Sequence, residues 1–113
     1  MVTVVNREEI QPNGQAAVFE GYQYGEAPVS FFLVDAPPGG DPRLHRHPYA
    51  EVFVVQEGRA TFTAGTETLE VGGGQIVVVP PGLPHTFVNA GDIPLRQVAI
   101  HASGRMITEW LEE

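Results

Sequence analysis

Short apolar runs, many alternating with polar positions at a period of two, recur along the chain at 3–5, 16–22, 29–34, 51–55, 60–63, 68–71, 76–79, 85–88 and 95–100. A period of two is the strand signature, because successive side chains of an extended chain point to opposite faces. Punctuation falls at Pro37-Pro38-Gly39-Gly40, Gly72-Gly73-Gly74 and Pro80-Pro81-Gly82, where the chain must turn. The pattern predicts an all-β sandwich or barrel of short antiparallel strands. Only the tail departs from it. Met106, Ile107, Trp110 and Leu111 form one stripe at helical spacing, and Ser103 precedes them as a cap, which predicts a short C-terminal helix over about 104–112. Trp110 is expected to pack on the outside of a sheet.

A chain of 113 residues holds one domain, 1–113, with a single core and room for one site. Hydrophobic residues at 42% and charged residues at 18% fit a soluble globular protein, and 13 Gly with 10 Pro supply the turns. The net charge of −8 repels nucleic acid and anionic membrane surfaces, so neither is an expected partner. No stretch approaches the ~20 apolar residues that span a bilayer, and the start lacks a basic segment followed by an apolar run. A cytoplasmic location is therefore expected.

The absence of cysteine changes the chemistry that remains. Disulfides, thiolate nucleophiles and sulfur-bound zinc drop out, leaving His and carboxylate as the strong metal ligands. His45, His47 and Glu51 come from one segment and His85 from another, at a separation that suits two ligand strands joined through a hairpin. His45 and His47 share a strand face, and Glu51 shares their parity provided the chain stays extended through Pro48 or bends there toward them. Three nitrogens and one oxygen suit a borderline divalent metal and leave coordination positions open.

These residues belong to a longer pattern. Gly39, His45, His47, Glu51 and Gly58 match G-x5-H-x-H-x3-E-x6-G across 39–58, and Gly74, Pro80, Gly82, His85 and Asn89 match G-x5-P-x-G-x2-H-x3-N across 74–89. In both, the chain resembles the cupin superfamily, specifically small single-domain cupins of the conserved-barrel type. The resemblance implies a jelly-roll β-barrel and one divalent transition metal (Mn, Fe, Ni, Cu or Zn) on His45, His47, Glu51 and His85. It also implies dioxygenase, isomerase, decarboxylase or lyase chemistry on a small organic substrate. Gly58 fits a hairpin between two strands and Gly74 a second turn, while Pro80 and Gly82 fit the turn that launches the His85 strand.

Candidates for acid or base work are few. His101 ends the last apolar run and is read first as a strand end, with a place inside the barrel as the other reading. Arg43 shares the parity of the histidines and could hold a substrate carboxylate, although beside Pro42 it reads as solvated. Tyr22, Tyr24, Phe31, Phe53 and Phe87 read as core aromatics, with Phe53 and Phe87 sharing faces with ligands and Tyr22 a further candidate. Asn89 reads as structural. Two function classes stay open: a metal-dependent enzyme, and a non-catalytic module that binds or senses a small molecule. An exposed strand at 16–22 predicts a homodimer through sheet edges.

Overall fold

The computed structural model describes residues 2–14, 16–40 and 43–111. Eleven strands form among them: β1 (Gln11–Asn13), β2 (Ala16–Glu20), β3 (Ser30–Ala36), β4 (His45–Arg46), β5 (Glu51–Glu57), β6 (Arg59–Ala64), β7 (Glu67–Gly72), β8 (Ile76–Val79), β9 (His85–Asn89), β10 (Leu95–His101) and β11 (Glu109–Trp110). They make two antiparallel sheets, ordered β1-β2-β3-β10-β5-β8 and β11-β4-β9-β6-β7. Single turns of 3₁₀ helix follow at Arg7–Glu9 and Gly21–Gln23. The fold is all-β, as the alternation predicts.

Alternation also decides what the sheets enclose. In β5, Glu51, Phe53 and Val55 are buried while their neighbours are less so, and in β10 the buried set is Leu95, Gln97, Ala99 and His101. From the facing sheet come Ala60, Phe62 and Val71, and the ring of Phe53 meets that of Phe62 edge-on at 4.9 Å. Phe32, Val77, Leu83 and Phe87 close over this core. The inner face of β5 is apolar except at Glu51, while that of β10 carries Gln97 in mid-strand and His101 at its end. The polar ends of β5 and β10 coincide because the strands are antiparallel, with His101 directly opposite Glu51.

Three expectations need correction. The tail is not a helix: β11 pairs with β4, setting Glu109 opposite Arg46 and Trp110 opposite His45, and Leu111 N–H donates to Leu44 C=O. The Ser103 hydroxyl accepts from Arg105 N–H, a local turn that competes with a helix cap. A nine-residue helix is marginal alone, and its stripe finds no core here, for Ile107, Trp110 and Leu111 all remain exposed. Residue 112, the end of the expected helix, lies outside the described residues. The segment 3–5 forms no strand, and Val2 and Val4 on either side of Thr3 are exposed. Finally, 16–22 is not a free edge: β2 ends at Glu20 and is flanked by β1 and β3.

Candidate metal centre

The site is assembled from two cross-strand pairs on opposing sheets. His45 on β4 sits opposite His85 on β9, and Glu51 on β5 sits opposite His101 on β10. His47 follows β4 at the parity of His45, and Pro48 stands where the chain leaves one sheet for the other. One ligand atom from each of His45, His47, Glu51 and His85 lies within 4.8 Å of the other three, a grouping that could hold a metal ion. His47, Glu51 and His85 are buried, and His45 is partly exposed.

The ring orientations are set from behind. His45 Nδ1 lies 2.8 Å from the Arg43 carbonyl, His47 Nδ1 2.8 Å from that of Ile107, and His85 Nδ1 2.9 Å from that of Leu83. A carbonyl only accepts, so each Nδ1 carries the proton and each neutral ring keeps its lone pair on Nε2. Those lone pairs face the carboxylate: His85 Nε2 is 2.9 Å and His47 Nε2 3.0 Å from Glu51 Oε1. Two lone pairs cannot stabilise each other at that distance, so a cation, proton or metal, belongs between them.

The electrostatics follow from this crowding. Burial acts to raise the Glu51 carboxyl, but contacts with His101, His47 and His85 outweigh it and hold the group far below the usual carboxylate range. At His85 burial acts downward, yet Glu51 and the Leu83 carbonyl carry the net shift upward. His45 is moved below its ordinary value, mainly by burial and further by the neighbouring His85 and His47, which favours the neutral, ligating form.

A cavity of about 440 Å³ opens beside the group. Its walls are largely apolar, with Phe32, Val34, Phe53, Phe87 and Trp110, and His45, His47, Glu51, His101, Asn89 and Thr108 supply polar atoms. Phe53 and Phe87 therefore do both jobs, packing in the core and lining the cavity. Asn89 fastens the rim, donating to Ala36 and Ile93 carbonyls and accepting from Gly91 N–H. Arg43 and Tyr22 do not line the cavity. The Arg43 guanidinium stacks over Trp110 at 4.3 Å, and the Tyr22 ring lies under Arg105 at 3.8 Å.

His101 is not a spent strand end. It is 1% exposed, lines the cavity, and brings Nε2 to 3.0 Å from Glu51 Oε2. Its parity with Leu95, Gln97 and Ala99 was the available signal, because an inward Leu95 turns the whole odd set inward.

 Ala99 lies two residues before it on the same face and also lines the cavity. Tyr49, which the sequence pattern did not single out, stands between His47 and Glu51 at their shared parity, and its hydroxyl is 2.6 Å from His101 Nδ1. Trp110 sits over His45 with ring centres 5.1 Å apart, at the cavity wall rather than outside a sheet.

The chain was compared with known proteins. Residues 32–101 match the family model described as a cupin domain. An uncharacterised protein of Methanocaldococcus jannaschii is 31% identical over 91 residues, which cover 80% of this chain and 66% of that protein. A conserved protein from Klebsiella pneumoniae with a double-stranded β-helix domain superposes with a TM-score of 0.75 at 24% identity, covering 97% of both chains. Oxalate decarboxylase of Bacillus subtilis, described for its Mn(II) centres, gives a TM-score of 0.78 at 22% identity over 90% of this chain and 29% of its own. Likeness at these identities speaks for the fold. The chain spans about two thirds of the M. jannaschii relative and under a third of the decarboxylase. With the family model matching most of its length, and two sheets that enclose a His, His, Glu, His group, the chain belongs to the cupin family.

Proposed function

We propose that the chain is a metal-dependent enzyme acting on a small organic substrate, with one divalent transition metal held by His45, His47, Glu51 and His85. One observation carries this reading: three imidazoles donate Nδ1–H to backbone carbonyls and turn bare Nε2 atoms toward one carboxylate. Fixing the tautomer from behind in this way is how proteins prepare histidines for a metal. Bound there, a divalent ion would supply Lewis-acid or redox chemistry, with positions left for a substrate oxygen. The protein's own contribution is to fix the ligand rings from behind through their Nδ1 contacts, to hold the Glu51 charge, and to keep a largely apolar cavity around the reacting group. Decarboxylation is the first reaction to assay and manganese the first metal, given the fold shared with a Mn(II) oxalate decarboxylase. Isomerase, lyase and dioxygenase reactions follow.

A second reading, a cytoplasmic binding or sensing module without turnover, is favoured by the composition of the cavity wall. Among the described residues that line it there is no Lys, Arg, Asp or Tyr, so His101 is the one acid or base outside the ligand set. Metal analysis of protein purified without added metal, followed by turnover assays after loading with manganese, iron or zinc, separates the readings. Metal content of one ion per chain that falls in His45→Ala and His85→Ala supports the site. Unchanged content in both variants removes it, and full loading with no turnover on any substrate class favours the binding module.

Pairing with a second copy is also proposed, now through β8. This strand is a sheet edge, and Ile76 and Val78 on it are 64% and 65% exposed. Sedimentation should give a dimer at micromolar concentration that Val78→Lys dissociates; a monomeric wild-type chain would overturn the proposal.

A further inference from the structure

The fourth histidine is held differently from the other three. His47, His45 and His85 each meet a carbonyl at Nδ1, whereas His101 meets the Tyr49 hydroxyl, 2.6 Å away. The Tyr49 oxygen already accepts the Ile107 N–H at 3.0 Å, and among the described residues His101 Nδ1 is the only acceptor within its reach. Its proton therefore goes to His101 Nδ1, which places the ring proton of neutral His101 on Nε2. The four rings thus divide: three carry lone pairs on Nε2, and one carries a donor.

That donor is buried, and Glu51 is the one acceptor near it among the described residues. His101 Nε2 lies 3.0 Å from Glu51 Oε2, off the axis of a hydrogen bond as His47 Nε2 is with Oε1, and it has no other partner among the described residues. Glu51 turns its other oxygen, Oε1, toward His47 and His85, so the carboxylate is shared between the metal group on one side and His101 on the other. A buried N–H without a partner costs stability unless something that enters the cavity accepts from it. Resting on the metal reading above, the charge of the site indicates what enters: a divalent cation, one carboxylate and three neutral imidazoles leave a single positive charge. The cavity wall adds no Lys or Arg among the described residues, so the site complements one negative charge and not two.

We propose that Tyr49 fixes His101 as the Nε2–H tautomer, and that this N–H is the hydrogen-bond donor to an oxygen of a small monocarboxylate bound beside Glu51. His101 is then a ligand-contacting residue, and Tyr49 is a positioning residue that acts through it. The arrangement also keeps His101 from serving as a further imidazole ligand, because its Nε2 has no lone pair to give.

Two measurements test this. Nitrogen-15 NMR of histidine-labelled protein, metal-free and zinc-loaded, should show His101 protonated at Nε2 in both states, while His45, His47 and His85 are protonated at Nδ1 when zinc is bound. Tyr49→Phe should abolish the His101 preference and leave the other three unchanged. Acetate is the ligand probe, titrated into the zinc-loaded protein. His101→Phe should weaken acetate binding about tenfold, the scale of one lost hydrogen bond, and His101→Gln, which keeps an N–H donor, should recover most of it. His101 protonated at Nδ1, His101 bound to zinc, acetate that fails to bind the wild type, or equal acetate affinity in His101→Phe would each overturn the proposal. Failure of the metal reading is distinguishable, since it appears as no zinc uptake by the wild type, and the tautomer of His101 in metal-free protein still decides the Tyr49 contact.

Discussion

Two glycines of the cupin pattern offer a controlled experiment on how the barrel holds its site. Gly58 and Gly74 have nearly the same backbone, with φ of +94° and +93°, a region that side chains with a Cβ rarely adopt. They differ in what surrounds them. A Cβ at Gly58 would lie 2.7 Å from the Pro94 carbonyl oxygen and 3.1 Å from Leu95 Cα, both backbone, whereas a Cβ at Gly74 meets nothing within 4 Å. Gly74→Ala therefore carries only the conformational cost, about 1–2 kcal/mol. Gly58→Ala carries the same cost and must also push β5–β6 away from the start of β10, which adds about 1–3 kcal/mol of overpacking. An unfolding entropy of about 2.1 cal/mol/K per residue makes 1 kcal/mol worth about 4 °C in a chain of this size. Melting measured by circular dichroism should fall by roughly 4–8 °C for Gly74→Ala and by roughly 8–20 °C for Gly58→Ala. The same displacement moves Leu95, at the far end of the strand that carries His101, so the Gly58 variant should also bind metal more weakly. Equal loss in the two variants would refute the close approach of Gly58 to Pro94, and no loss in either would refute the positive φ.

Other outcomes follow from single residues. Gln97 is 1% exposed and neither amide atom has a partner among the described residues, so Gln97→Met, similar in size and unbranched, should raise stability by about 1–2 kcal/mol in urea unfolding. A loss of stability there would show that the amide is paired. In metal-free protein the Glu51 carboxyl is held well below its ordinary 4.5, so it contributes stability that is fully present above that pH and is lost as the pH falls below it. Melting curves taken across that range should show a steeper acid decline for the wild type than for Glu51→Gln, and parallel curves would contradict the shift. The metal itself should leave on acidification, as protons compete for the Nε2 atoms of His45, His47 and His85. Metal that stayed fully bound well below the ordinary histidine value of 6.5 would count against those ligands.

Much of this arrangement is legible in the sequence because it rests on period two. The inner faces of β5 and β10 follow from alternation, and His45, His47 and Glu51 share a parity that survives the passage through Pro48. Turn glycines are equally plain, since Gly58 and Gly74 occupy conformations that other residues avoid. What the pattern missed depends on pairing between distant segments. β4 and β11 are two residues each, too short to show any period, and they pair where Glu109 meets Arg46 at 2.7 Å and Trp110 covers His45. A helical stripe at 106–111 is a real local signal, but with no core to receive it the segment pairs with β4 instead. β1 was hidden for a similar reason: three residues containing a proline carry no strand signal, and they pair only because β2 offers an edge. Tyr49 and His101 meet across 52 residues of sequence, so their contact could not be read from either residue alone.

The central claim is that His45, His47, Glu51 and His85 hold one metal ion while His101 stays out of its coordination. X-ray absorption of the zinc-loaded protein tests it most directly, because imidazole rings give a distinct scattering pattern that can be counted. The account predicts three imidazole nitrogens at about 2.0–2.1 Å and one carboxylate oxygen at about 2.0–2.2 Å, with any remaining positions filled by water. Four imidazoles, two imidazoles, or a spectrum unchanged in Glu51→Gln would contradict it.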